Sequence, residues 1–410
     1  MSERGRRPHR LAVLTSHVVQ YQAPLWRLLA ATPGLSPHVM FCSPHGAQAY
    51  FDDGFGQRVQ WDIPLLDGYS HETLPNISPR PHQARFWGVI NPGVVSRLRR
   101  GAFDAVLVHG WARATLWLAM LTAFASGLPV IMRGESNLLV APSRVRGALK
   151  RAGLPALLRR VAACLAIGRH NAEFYRAHGV PERRIFMAPY AVDNRFFAGH
   201  AARLPERATL KRELGLPPVP LVLFSGKLSD VKRPLDLLRA FAEVVHRRPA
   251  ALAFVGDGPL DTAVRAHVEA HGVPGVHLLG FRNQSELPRH YAAADVFVLP
   301  SGFEPWGLVV NEAMCFGLPV IVSDKVGAGG DLVQEGINGF ITPAGDIGAL
   351  AQKLDALIAD AELRRRMGEA SRRIIAGWSH EAAAQGLVRC LDAVTQGGAR
   401  RRQLVTSPSA

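Results

Sequence analysis

Twelve short apolar runs limit the folds open to this chain more than any other feature. LAVLTS, HVMFCS, DAVLVHG, PVIMRG, ACLAIG and RIFMAPY occupy its first half. LVLFSG, ALAFVG, VHLLGF, DVFVLPS, PVIVSD and GFITP occupy its second. Longer segments with helical patterning separate them. Continuous rather than alternating apolarity marks parallel strands covered on both faces. Strand–helix alternation then builds an open, doubly wound α/β sheet. The pattern lapses over residues 192–220, a charged stretch that is Pro-rich at its end and lacks a strand. The expectation is therefore two Rossmann-like domains, 1–200 and 201–396, facing an inter-domain cleft where strand ends place ligands. The final helix is expected to pack back on the first domain. Residues 397–410, polar and basic, are expected to be a disordered tail.

A length of 410 residues exceeds one ordinary core, in agreement with two domains. Hydrophobic content of 48% with 20% charged residues reads as a soluble globular protein. The formal charge of +15 has two readings. One is a basic surface that attracts phosphates or an anionic membrane. The other is compositional bias, since only six of the 48 basic residues are Lys. The cysteines Cys42, Cys164, Cys315 and Cys390 are far apart and lack metal-ligand spacing, so buried free thiols in a reducing cytoplasm are expected. The uncharged stretch Ala114–Met132 mimics a membrane span, but Ser126–Pro129 interrupts it. A Gly-Leu-Pro break predicts a buried helix, a turn and the strand PVIM. No signal peptide is read at the N-terminus.

Three stretches carry chemistry. SGKLSDVKRP (225–234) ends a strand and opens a helix, and holds Lys227 and Lys232. Free N–H groups at a helix start with two cations suit a diphosphate; a solvated basic loop is the plain alternative. FVGDGPL (254–260) has a lone Gly-x-Gly, which by itself reads as a tight turn. FEPWGLVVNE (303–312) carries Glu304 in a loop and Glu312 in a helix apolar all round. The N–H groups of Trp306, Gly307 and Leu308 are donors of that helix start. A carboxylate beside a phosphate repels it, whereas a carboxylate accepts two bonds from a vicinal diol. Two acids flanking a phosphate site therefore suggest two polyols joined by phosphate, as in a nucleotide sugar. The alternative is a Glu312 that caps the helix or pairs internally with an arginine.

GKLSDVK, GDGP, LGFRNQSELPRHYAAADVFVLPS and EPWGLVVNEAM resemble, in order and spacing, the C-terminal domain of the family 4 retaining glycosyltransferases of GT-B fold. The resemblance spans roughly residues 221–345. It implies that Gly226, Lys227 and Lys232 serve the donor diphosphate, with Gly256 in the following glycine turn. Gly280, Phe281 and Arg282 would border the nucleobase, Glu304 the transferred sugar and Glu312 the ribose. It further implies front-face transfer from a UDP- or GDP-linked sugar to a hydroxyl, in polysaccharide, glycolipid or natural-product synthesis. No Asp-x-Asp triplet occurs, so neither a metal nor a separate cofactor is expected. Two positions depart from the family pattern: Lys227 replaces an Arg, losing its bidentate fork, and Pro305-Trp306 replaces Gly-Phe.

In the first half, His109 ends a strand at a family position. Glu135 stands where a further His is usual, able to pair with Arg133 or hold an acceptor hydroxyl. His17 and Gln20 are positional candidates in the first loop. Trp26, Trp61, Trp87, Trp111 and Trp117 offer rings that stack on sugars or sit at a membrane surface; Trp117 suits ordinary core. The run 143–160 interleaves Arg and Lys with Leu, Ala and Val, as either a membrane-surface helix or a solvated one. Expected partners are thus a nucleotide-sugar donor, a hydroxyl acceptor that is free or lipid-linked, and an anionic membrane's inner surface. Nucleic acid is not among them, because it gives no reason for Glu304 and Glu312. A nucleotide-sugar epimerase or hydrolase of the same fold, or a non-catalytic binder, is the alternative function.

Overall fold

The computed structural model describes residues 7–83, 85–140 and 153–406. Strands of the first half are β1 (His9–Thr15), β2 (Leu35–Phe41), β3 (Tyr50–Asp52), β4 (Gln57–Val59), β5 (Ser70–Thr73), β6 (Ala105–His109), β7 (Val130–Arg133), β8 (Ala163–Ala166) and β9 (Ile185–Met187). Those of the second are β10 (Leu221–Ser225), β11 (Ala251–Val255), β12 (Val276–Leu278), β13 (Val296–Leu299), β14 (Val320–Ser323) and β15 (Gly339–Thr342). Every apolar run named above overlaps one of them. The short edge strand β5 and the β3–β4 hairpin carry no such run, so periodicity alone does not reveal them.

The first sheet has the order β5-β2-β1-β6-β7-β8-β9 and the second β12-β11-β10-β13-β14-β15. Each neighbouring pair is parallel. Strand order reverses between β1 and β6 in one sheet and between β10 and β13 in the other. At such points the two loops leaving the strand ends go to opposite faces and leave a crevice. Helices cover the sheets: α1 (Ala23–Ala30), α2 (Gly93–Arg100), α3 (Ala114–Ala125), α4 (153–160) and α5 (Arg169–Ala177) in the first half. Then come α6 (Asn194–Ala201), α7 (Arg207–Glu213), α8 (Pro234–Val245), α9 (Asp261–His271), α10 (Leu287–Ala293), α11 (Leu308–Cys315), α12 (Ile347–Ala359), α13 (Ala361–Ala376) and α14 (His380–Thr406). Helix α3, the turn after it and β7 are what the stretch Ala114–Met132 predicted. Among the described residues no helix is long and apolar enough to cross a membrane. Residues 141–152, most of the basic run 143–160, lie outside the described residues.

Packing divides the chain into two compact units. One comprises the residues through Gln48, Pro64–Tyr190 and the residues from His380 onward; the other comprises Ala49–Ile63 and Ala191–Ser379. The division departs from the sequence expectation at three places. The crossing falls after Tyr190 rather than 200, because Phe197 of α6 packs edge-on against Tyr291 and Phe316 of the second unit at 6.5 and 6.1 Å. Residues 49–63 leave the first half and join the second unit, since β3 and β4 pair only with each other. Residues 397–406, expected to be disordered, continue helix α14. That helix belongs to the first unit: His380 hydrogen-bonds the Tyr21 carbonyl at 3.1 Å, and Gly386 lets it approach the Met187 backbone.

The start of the second sheet turns on one buried acid. Asp295 accepts from Lys211 Nζ at 2.5 Å, from Arg207 at 2.9 Å and from the Leu221 N–H at 2.8 Å. It thereby ties β13 to β10 and α7. Removing one member of a buried ion pair leaves the other charge in the interior. Asp295→Ala is therefore expected to destabilise the protein by about 3–5 kcal/mol, read from urea unfolding. Joining Lys211→Met to a conservative apolar replacement of Asp295 should recover a large part of that loss. A double variant no more stable than the single would contradict the assignment.

Candidate functional site

The crevice of the second sheet lies between the loops after β10 and β13, and Lys232 and Glu304 meet there. The β10 loop enters a short 3-10 turn (Asp230–Lys232), and left-handed Arg233 (φ 54°) then starts α8. Lys232 forms an ion pair with Glu304 Oε1. The Gly302 N–H donates to the Val231 carbonyl at 2.8 Å, which sets the two loops in register. Glu304 is only 8% exposed and also accepts from Ser301 Oγ at 3.1 Å. The sequence placed Lys232 on a phosphate and Glu304 on a sugar; the structure joins the two side chains.

Gly226, Gly256 and Gly280 line up at the ends of β10, β11 and β12. The Gly226 N–H donates to Val255 and the Gly256 N–H to Gly280, at 2.9 and 2.8 Å. A Cβ on Gly256 would overlap the Gly226 carbonyl, so glycine allows these loops to close-pack. Gly307 (φ 100°) is the N-cap of α11, wedged between Leu299 and Val326. Leu308 begins the helix. Trp306 turns inward instead: it is 3% exposed, stacks on Trp378 at 5.0 Å and donates to Asn311 at 2.9 Å. Its ring is core, so of the predicted residue only the backbone can serve a ligand. The Pro305 carbonyl lies where only Gly327 fits, which explains the glycine and not the proline. Glu312 is fully buried, and its Oε2 accepts from the Tyr291 hydroxyl at 2.6 Å. That internal partner is a tyrosine hydroxyl.

Lys227, 37% exposed, donates to Asp52 at 2.7 Å and lies over the Phe55 ring at 4.9 Å. Burial raises the Asp52 carboxyl's pKa. The Lys227 hydrogen bond and charge, with the Phe55 and Gly54 N–H groups, outweigh it and leave the pKa below the ordinary value. Phe281 meets Phe55 edge-on at 4.9 Å and Trp61 at 6.4 Å. Arg282 pairs loosely with Glu286 at 3.9 Å. Asp52, Phe55 and Tyr291 escaped the sequence reading. The Asp-Gly turn of YFDDGFGQRV was the available signal for the hairpin, but nothing in it named Lys227 as the partner.

In the first unit the crevice between β1 and β6 collects His17, Gln20 and His109. His109 packs edge-on against Trp26 at 5.5 Å, and its Nδ1 faces Gln22 Nε2 at 3.3 Å. Its Nε2 is buried with no hydrogen-bond partner among the described residues. Burial, then the charge of Arg133, hold His109 well below the usual imidazole pKa. The ring is thus neutral at pH 7, an acceptor or donor rather than a cation. His17 is held by Ser16 at 2.8 Å and sits edge-on to His45 at 5.5 Å. Gln20 is half-buried in the same loop. Arg133 lies over the Tyr190 ring at 5.1 Å, and Glu135 accepts from the Tyr190 hydroxyl at 2.6 Å. Tyr190 thus links the two candidates.

The group 1 glycosyl transferase family model matches residues 206–374. The D-inositol 3-phosphate glycosyltransferase of Xylanimonas cellulosilytica is 32% identical over 324 residues, 73% of this chain and 74% of that protein. Sulfoquinovosyl transferase SQD2 of Arabidopsis thaliana is 39% identical over 162 residues, 38% of this chain and 30% of that longer protein. Among solved structures, Anabaena Alr3699/HepE in complex with UDP and glucose superposes with a TM-score of 0.70 at 18% identity, over 94% of this chain and all of that one. That likeness establishes the fold.

One pH effect follows from the first crevice. Burial, then His45 and Arg113, lower the His17 pKa from 6.5 to about 4. Above pH 6.5 the ring is neutral in folded and unfolded chain alike. As pH falls from 6.5 toward 4, the unfolded chain takes up a proton that the folded chain refuses, so stability is lost. The loss should reach up to about 3 kcal/mol. His17→Gln should remove that part of the fall in thermal midpoint; an unchanged pH profile would contradict it.

Proposed function

The chain belongs to the group 1 glycosyltransferases, and we propose that it moves a sugar from a nucleotide diphosphosugar to an acceptor hydroxyl with retention of configuration. The observation that carries this reading is the pairing of Lys232 with Glu304 at the sheet's reversal point. It sets a cation and a carboxylate side by side where a donor's phosphate and sugar join. The bond from the anomeric carbon to the phosphate oxygen breaks, and negative charge grows on the leaving diphosphate. Lys227, Lys232 and the first N–H groups of α11 stabilise that charge electrostatically. The acceptor oxygen bonds to the anomeric carbon on the same face, and its proton passes to the departing phosphate. Glu304 holds the sugar hydroxyls and orients Lys232. Glu312, positioned by Tyr291, serves the ribose. The acceptor is offered to the crevice that holds His109 and Glu135. Relatives named for transfer of a sugar, one of them to D-inositol 3-phosphate, support a hydroxyl acceptor.

Thermal-shift measurements over UDP- and GDP-linked sugars test the reading, since a ligand that binds only the folded state raises the midpoint by mass action. At least one should stabilise the protein, and Lys232→Ala should abolish the shift. Glu304→Gln is expected to lower kcat by about a hundredfold or more, the scale of losing one electrostatic contact to the transition state. Glu312→Gln should act mainly on donor KM. The absence of any shift with every nucleotide sugar would sink the proposal. Donor turnover at an undiminished rate without acceptor would favour the epimerase or hydrolase alternative.

A further inference from the structure

The β3–β4 hairpin is docked on the second unit at three successive strand-end loops. At the β10 loop, Lys227 donates to Asp52 at 2.7 Å. At the β11 loop, the Gly54 carbonyl comes so near that a Cβ on Gly258 would lie 3.0 Å from it. At the β12 loop, Phe281 packs on Phe55, and Asn283 donates to the Gln60 carbonyl at 2.6 Å. Ser285 donates to Asp62 through both its N–H and its hydroxyl. Two of these three loops hold the residues assigned above to the donor, Lys227 for the diphosphate and Phe281 for the base. Apart from the Phe55–Phe281 ring contact, these contacts are polar, small and mostly near the surface, so each is individually weak. Asp52 is nevertheless held in place by its own turn. Its Oδ1 also accepts from the Gly54 and Phe55 N–H groups at 2.9 and 3.1 Å, which aims the carboxylate out of the turn at Lys227.

We propose that the 49–63 hairpin is a displaceable cover of the donor site, in which Asp52 holds Lys227 until the donor's diphosphate takes the carboxylate's place. The proposal rests on the nucleotide-sugar reading. A phosphate that joins Asp52 on Lys227 meets a like charge at contact distance, a repulsion of about 1 kcal/mol at ~4 Å in water, and Asp52, unlike Glu304, has no donor hydroxyl assigned to it. Binding of donor therefore exchanges one anion for another on Lys227. Asp52 becomes a residue that tunes donor affinity without contributing to the chemistry. Phe55 and Trp61, which hold Phe281, shift with it, so the two ends of the donor are read together. Lys232 behaves differently, because its partner Glu304 belongs to the site itself.

The test is donor binding and kinetics with the full chain, using the nucleotide sugar that gives the largest thermal shift. Asp52→Asn keeps an oxygen for the Gly54 and Phe55 N–H groups and removes only the charge. It should tighten donor binding about five-fold, the scale of one partly exposed ion pair, with the change carried by KM. In a Lys227→Ala background the same substitution should give no gain, because the exchanged cation is gone. Phe55→Ala should shift donor KM in the same direction, and keeps the question open to decision if Asp52→Asn fails to fold. Donor binding unchanged or weakened by Asp52→Asn, in a protein whose native form binds donor, would overturn the cover. Failure of the native chain and every variant to bind any nucleotide sugar would overturn the donor reading itself.

Discussion

A parallel sheet buried on both faces leaves no place for charge except at the strand ends. The strands β6, β10, β11 and β13 are buried almost throughout. Charged and polar side chains are thereby driven into the loops at either end. At the start of the second sheet this produces the Asp295 network, which is structural. At the other end it produces the Lys232–Glu304 and Lys227–Asp52 pairs. Both are partly open, and both lie where strand order reverses. The difference between them is one of desolvation. Lys211 and Asp295 are almost wholly buried and satisfied by structural partners, whereas Lys227 keeps over a third of its side chain in solvent.

The same constraint explains why much of the fold was legible from residues alone. Continuous runs such as DVFVLPS and PVIVSD have no solvent-facing side and could be read as parallel strands without knowing their neighbours. The candidate site in the second unit was legible for a related reason: Lys227, Lys232, Glu304 and Glu312 stand in short segments next to their strands, so local order positions them. Strand β5, with the sequence SHET, was not legible. It is an edge, exposed along most of its length, and offers no apolar signal.

Pairing across long separations was also out of reach. Asp52 and Lys227 are 175 residues apart, and the partners Asn283 and Gln60 are 223 apart. The sequence reading used only the backbone N–H of Trp306 and assigned its ring no place; Trp378 and Asn311 put the ring in the core. Likewise Glu312 reads from sequence as an acid facing a diol, and the Tyr291 hydroxyl that holds its Oε2 comes from another helix, 21 residues away. Each of these is a side-chain direction set by packing, which no spacing rule encodes.

The amino-acid order by itself determined two doubly wound sheets, the loops that carry cations and acids, and the family of the chain. Those properties are local: they depend on the period of apolar residues and on motifs within a few turns of one strand. Tertiary structure alone decided that residues 49–63 join the second unit and that α14 runs on through Thr406. It also decided that Lys232 answers Glu304 and that Lys227 answers Asp52. Those outcomes depend on which charges remain unscreened once both sheets are covered, and that balance exists only in the folded chain.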